Sequence, residues 1–90
     1  VPFNIACYSA LTQMIAQECG LTGVGEFSHY LNDAHIYVNH IDGAKEQILR
    51  TPTEHPKLII AKKPFWDLKF EDFTLENYNP QAPIKFPIAV

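Results

Sequence analysis

Asp33-Ala-His-Ile-Tyr-Val-Asn-His40 is the stretch of this 90-residue chain whose side chains can act together chemically. As an extended strand it would turn alternate residues to one side, so Asp33, His35, Tyr37 and Asn39 share a polar face. Ala34, Ile36 and Val38 then face a core. An imidazole and a phenol two residues apart bring both polar tips within reach of one hydroxyl group. A sugar hydroxyl needs one donor and one acceptor, and neutral His plus Tyr supply both. A plain solvent-facing side fits the same pattern, and the spacing alone leaves both readings open.

Other chemistries find no support in the residues. His35 and His40 are five apart, which matches neither one face of a helix nor one face of a strand. The sequence has no Cys-x-x-Cys and no His-Glu-x-x-His, so no metal is expected. It also lacks a Gly-x-Gly-x-x-Gly, a P-loop and a Gly-x-Ser-x-Gly. An activated thiolate wants a neighbouring cation or base. Cys7 has no basic residue near it in sequence, and Cys19 falls at a helix C-terminus, where the dipole disfavours an anion. Both read as reduced packing residues, twelve positions apart on one helix and too distant to bridge. The net charge is −3, Arg50 is the only arginine and Lys62-Lys63 the only adjacent basic pair, which argues against a nucleic-acid surface.

Periodicity predicts the helices and strands around this stretch. Apolar residues at Ile5, Tyr8, Leu11, Met14, Ile15 and Cys19 predict a helix from Asn4 to Cys19, with Asn4 as N-cap and Gly20 as the stop. So many apolar positions predict that it is largely buried in whatever fold it joins. A loop over residues 20–26 leads to a strand-like stretch from Phe27, then a strand from Asp33 to Val38. A second helix is expected over Asn39–Arg50, weakened locally by Gly43. Lys57-Leu-Ile-Ile-Ala61 reads as a short strand, and part of Trp66–Tyr78 as another. Pro80, Pro83 and Pro87 make the tail extended or irregular, and its apolar residues mark it as a segment that docks. The fold class is α+β, a mixed β-sheet packed with helices, in one unit over 1–90 with no internal boundary. At 90 residues a core is marginal by itself. No apolar run approaches the ~20 residues of a membrane span, and no secretory leader pattern is present, so a soluble, cytoplasmic protein is expected.

Several motifs then align in order. Pro2-Phe3-Asn4-Ile5-Ala6, Asp33-Ala-His-Ile-Tyr-Val-Asn-His40, Pro56-Lys57-Leu58, Phe70-Glu-Asp-Phe73, Asn77-Tyr-Asn-Pro80 and Ile84-Lys85 with Ala89-Val90 resemble the last third of thymidylate synthase. The resemblance implies a methyltransferase converting dUMP to dTMP, with 5,10-methylenetetrahydrofolate as one-carbon donor and reductant. It implies that Asn4 pairs with the uracil edge, that His35 and Tyr37 hold the ribose 3′-hydroxyl, and that Phe3 lies beside the folate. Ala89 and Val90 match the tail that folds over the ligands. A related dCMP hydroxymethylase carries aspartate at the Asn4 position, so asparagine favours uracil.

The family's nucleophilic cysteine sits in a Pro-Cys motif, which this sequence lacks, and its phosphate clamp uses arginines with which Arg50 does not align. The resemblance therefore implies no catalytic residue within these 90, association with the preceding part of the same polypeptide, and a homodimer. A chain carrying only this segment is expected to be inactive. Asn32 stands where the family usually has glycine, a position that often needs positive φ. The alternatives are a nucleotide hydroxymethylase of the same fold, or a non-catalytic module binding a nucleotide or a protein through the polar strand face.

Overall fold

The computed structural model describes residues 1–88 of the chain. Helix α1 spans Pro2–Glu18 and starts two residues before the expected Asn4. Proline's fixed φ and missing N–H suit the first helical turn, so Val1 becomes the N-cap and Ile5 N–H donates to Val1 O at 3.1 Å. Asn4 therefore lies inside the first turn and does not cap it. The other end follows the sequence. Gly20 takes φ 70, its N–H donates to Gln17 O (3.1 Å) and Leu21 N–H donates to Ala16 O (2.9 Å). These two bonds form a Schellman motif, which glycine closes without strain.

Helix α2 spans Ile41–Ile48, shorter than expected, because Val38–His40 forms a 3-10 turn in front of it. Strands β1 (Lys57–Ile60) and β2 (Phe73–Glu76) pair antiparallel, with Leu58 opposite Leu75 and Ile60 opposite Phe73. Ala61 N–H donating to Asp72 O at 2.9 Å extends the ladder. Two glutamines one turn apart on α1 tie the helix to this ribbon. Gln13 Nε2 donates to Leu58 O (2.7 Å) and Gln17 Nε2 to Ala61 O (2.8 Å), and Ala16 between them is buried. Helices and strands in separate stretches make the class α+β, as expected.

The strands expected from Phe27 and over Asp33–Val38 do not form. The second segment is extended at Tyr37 (φ −63, ψ 147), but among the described residues only β1 and β2 make a ladder. A strand without a neighbour has no partner for its backbone groups, whatever its side-chain alternation. Helix α1, expected to be buried in whatever fold it joins, is largely exposed within these residues, with Ala16 and Ile60 the only buried apolar residues among those described.

Asp72 organises the turn into β2. Its carboxylate accepts from Lys63 Nζ at 2.8 Å and from the Lys69 backbone N–H at 2.9 Å. The bond from Lys63, then that from Lys69, holds the Asp72 carboxyl below its ordinary value, and bonding to Asp72 raises the Lys63 ammonium. A lowered folded-state pKa adds stability above the ordinary carboxylate value of 3.8, lost as pH falls through the lowered value. The raised Lys63 contribution is present below 10.5 and fades as pH rises through the folded value. Asp72→Asn is expected to lower the thermal midpoint at neutral pH and to match the parent in strong acid. Melting curves across pH check this, and a midpoint difference independent of pH would refute it.

Candidate functional site

His35 and Tyr37 come together as the spacing implies, although no strand holds them. Their rings meet edge to face, with centroids 5.2 Å apart and planes at 78°. The Asp33 carbonyl can only accept, so the 3.2 Å contact from His35 Nδ1 places a proton on that nitrogen. In the neutral ring Nε2 is then left as an acceptor. The Asp33 carboxylate stands on the same side, with Oδ1 3.8 Å from Nδ1. The Tyr37 hydroxyl has no hydrogen-bond partner among the described residues, and half of this side chain's residue surface (52%) is open. A free phenolic donor beside a free imidazole acceptor is the pair a single sugar hydroxyl needs.

Asn4 and Phe3 form a second patch, on the first turn of α1. The Asn4 carboxamide is exposed and makes no hydrogen bond among the described residues, and Phe3 is 79% exposed. An open phenyl face is a stacking surface for a flat heterocycle. No hydrogen bond or ring contact joins this patch to His35 and Tyr37 among the described residues. Ala89 and Val90 lie outside the described residues. Both thiols, Cys7 and Cys19, are exposed. Among the described residues no cluster of His, Cys, Asp and Glu is arranged to hold a metal ion, and no helix is long and apolar enough to cross a membrane.

The contacts of the tail were not legible in the sequence. Thr53 Oγ1 donates to Asn79 O (3.3 Å), Gln81 Nε2 to Thr51 O (2.7 Å) and Arg50 Nη1 to Ala82 O (2.5 Å). Arg50 thus anchors the tail and also pairs with Glu46 at 3.4 Å. Further on, His40 Nε2 donates to Pro87 O at 2.5 Å. Each of the four bonds to the tail spans at least 26 residues, which no local pattern signals. An open cleft of about 980 Å³ lies elsewhere, between the end of α1 and β1, lined by residues such as Gln17, Leu21, Pro56, Leu58 and Lys62. It includes none of Phe3, Asn4, His35 and Tyr37.

A family profile described as thymidylate synthase matches residues 1–90. The chain belongs to the thymidylate synthase family. Among its curated relatives are thymidylate synthases of Listeria monocytogenes and Listeria innocua, each 52% identical over 92 residues, covering 100% of this chain and 29% of theirs. The chain thus spans about 29% of the length of the curated relatives it matches. Two helices and an antiparallel ribbon are compatible with the α+β fold expected of a thymidylate synthase segment. At Asn32, where the thymidylate synthase pattern has glycine, the backbone does not take positive φ. Asn77 (φ 57) is the only described non-glycine residue that does, so asparagine at 32 is unstrained.

Proposed function

We propose that this chain is the stretch of a thymidylate synthase corresponding to the last third of the family, within an enzyme that methylates dUMP to dTMP. The folate co-substrate, 5,10-methylenetetrahydrofolate, would supply the one-carbon unit and the reducing equivalents. In this reading His35 and Tyr37 hold the ribose 3′-hydroxyl, Asn4 pairs with the uracil edge, and Phe3 offers its open face to the folate ring. Ala89 and Val90 belong to the tail that closes over the ligands. The nucleophile and phosphate clamp come from residues outside these 90, since the lone arginine is committed to Ala82 and Glu46. The enzyme is a cytoplasmic homodimer forming one domain with the preceding polypeptide, and it needs neither a metal nor nucleic acid.

The observation that carries this reading is the adjacent, uncommitted Tyr37 hydroxyl and His35 Nε2. The test compares dUMP with its 2′,3′-dideoxy analogue in an intact enzyme carrying this chain. The analogue is expected to bind about tenfold more weakly, the scale of one or two hydrogen bonds. Tyr37→Phe should abolish most of that difference, as read by isothermal titration calorimetry. Equal discrimination in parent and variant would refute the ribose role.

A further inference from the structure

We propose that His40 is a positioning residue that ties the aim of Tyr37 to the seating of the Phe86–Pro87 stretch, an inference that rests on the nucleotide reading above. Four rings stand in an edge-on series. His35 meets Tyr37 at 5.2 Å, Tyr37 meets His40 at 5.5 Å with planes at 84°, and His40 meets Phe86 at 5.2 Å with planes at 73°. Edge-to-face contacts depend on orientation, so each ring restricts the rotamers of the next.

His40 is held from two directions. Its backbone N–H donates to Tyr37 O at 2.9 Å, closing the 3-10 turn, and its ring Nε2–H donates to Pro87 O at 2.5 Å. Phe86 in turn lies on the open face of Gly43 in α2. A Cβ added there would come within 2.9 Å of the ring Cζ and 3.0 Å of Cδ1. Glycine at 43, which costs helix propensity, is what lets Phe86 sit beside His40. Tyr37 is half exposed, so the ring edges of His35 and His40 are what fix its hydroxyl in place. Loosening the tail stretch therefore releases His40, and a released His40 leaves Tyr37 with one of its two ring contacts.

The test is a double-mutant cycle in an intact enzyme, reading the ratio of dissociation constants for 2′,3′-dideoxyUMP and dUMP. His40→Ala is expected to lower that ratio about threefold, the scale of one edge-to-face contact. Gly43→Ala, which displaces Phe86 while improving the helix, is expected to lower it about twofold without loss of thermal stability. The double variant should fall no further than His40→Ala alone, because both changes break one series of contacts. Multiplying effects, an unchanged ratio in Gly43→Ala, or parental discrimination in His40→Phe, which cannot donate to Pro87, would each overturn the proposal. Tyr37→Phe separates the two levels. If it leaves the ratio at the parental value, the nucleotide reading has failed; if it lowers the ratio while the His40 and Gly43 effects multiply, only the positioning role has.

Discussion

An intact enzyme carrying Asn4→Asp is expected to lose its preference for dUMP over dCMP by about a hundredfold. The Asn4 carboxamide is exposed and unused by its own helix, because Pro2 starts α1 without a side-chain cap. It can donate to O4 of uracil and accept from N3–H at once. An ionised aspartate offers acceptors only, so one of its oxygens would face O4 with no proton between them. An unmatched pair in a closed site costs more than a lost hydrogen bond gains, and the charge enlarges the penalty. Cytosine presents an amino donor at the same edge and is rejected less. The variant should fold normally, since a carboxylate in the first turn of a helix interacts favourably with the helix dipole. Dissociation constants for dUMP and dCMP measured on both proteins check this. Asn4→Ala should weaken dUMP without gaining dCMP, and an unchanged ratio in the aspartate variant would remove Asn4 from the uracil site.

A second large effect is expected from the 90 residues expressed alone: no cooperative melting and no measurable dUMP binding. The chain exposes 8127 Å² with a radius of gyration of 16.4 Å. A folded monomer of 10.2 kDa exposes about 5,300 Å². Its radius of gyration would be about 12 Å. Phe3, Tyr8 and Ile15 on α1 are 79%, 58% and 48% exposed, so the helix contributes little burial to set against chain entropy. Binding of a hydrophobic dye, absent near-ultraviolet circular dichroism and a flat calorimetric trace are the expected readouts. A sharp transition with an enthalpy near the roughly 60 kcal/mol of a domain this size would contradict them. The missing dUMP affinity has a separate cause. The phosphate dianion needs cations, and Arg50 already serves the Ala82 carbonyl and Glu46. Tight dUMP binding by the lone chain would overturn the assignment of the clamp to residues elsewhere.

The features legible from residue types alone lie within a few residues of one another along the chain. The apolar spacing of α1 and its stop at Gly20 were legible because helix bonds and the Schellman motif connect near neighbours. The β-rich run at Lys57–Ile60 was legible from composition, and the meeting of His35 and Tyr37 needed only two intervening peptide bonds in extended backbone. The start of α1 was misplaced by two residues because Asn4 and Pro2 both carry N-terminal signals, and proline's fixed φ prevailed.

Contacts between distant segments set the remainder. Alternation at Asp33–Val38 predicted a strand, yet a strand exists only where another supplies its hydrogen bonds, and none does among the described residues. The β1–β2 register, the glutamine ties from α1, and the bond from His40 to Pro87, 47 residues away, depend on which distant segments meet. Gly43 is a weak point by helix propensity, and Phe86 lies on it. Side-chain periodicity encodes which face of an element is apolar. It does not encode the partner that face or backbone edge will find, and that choice settles both the burial and the alignment of the candidate site.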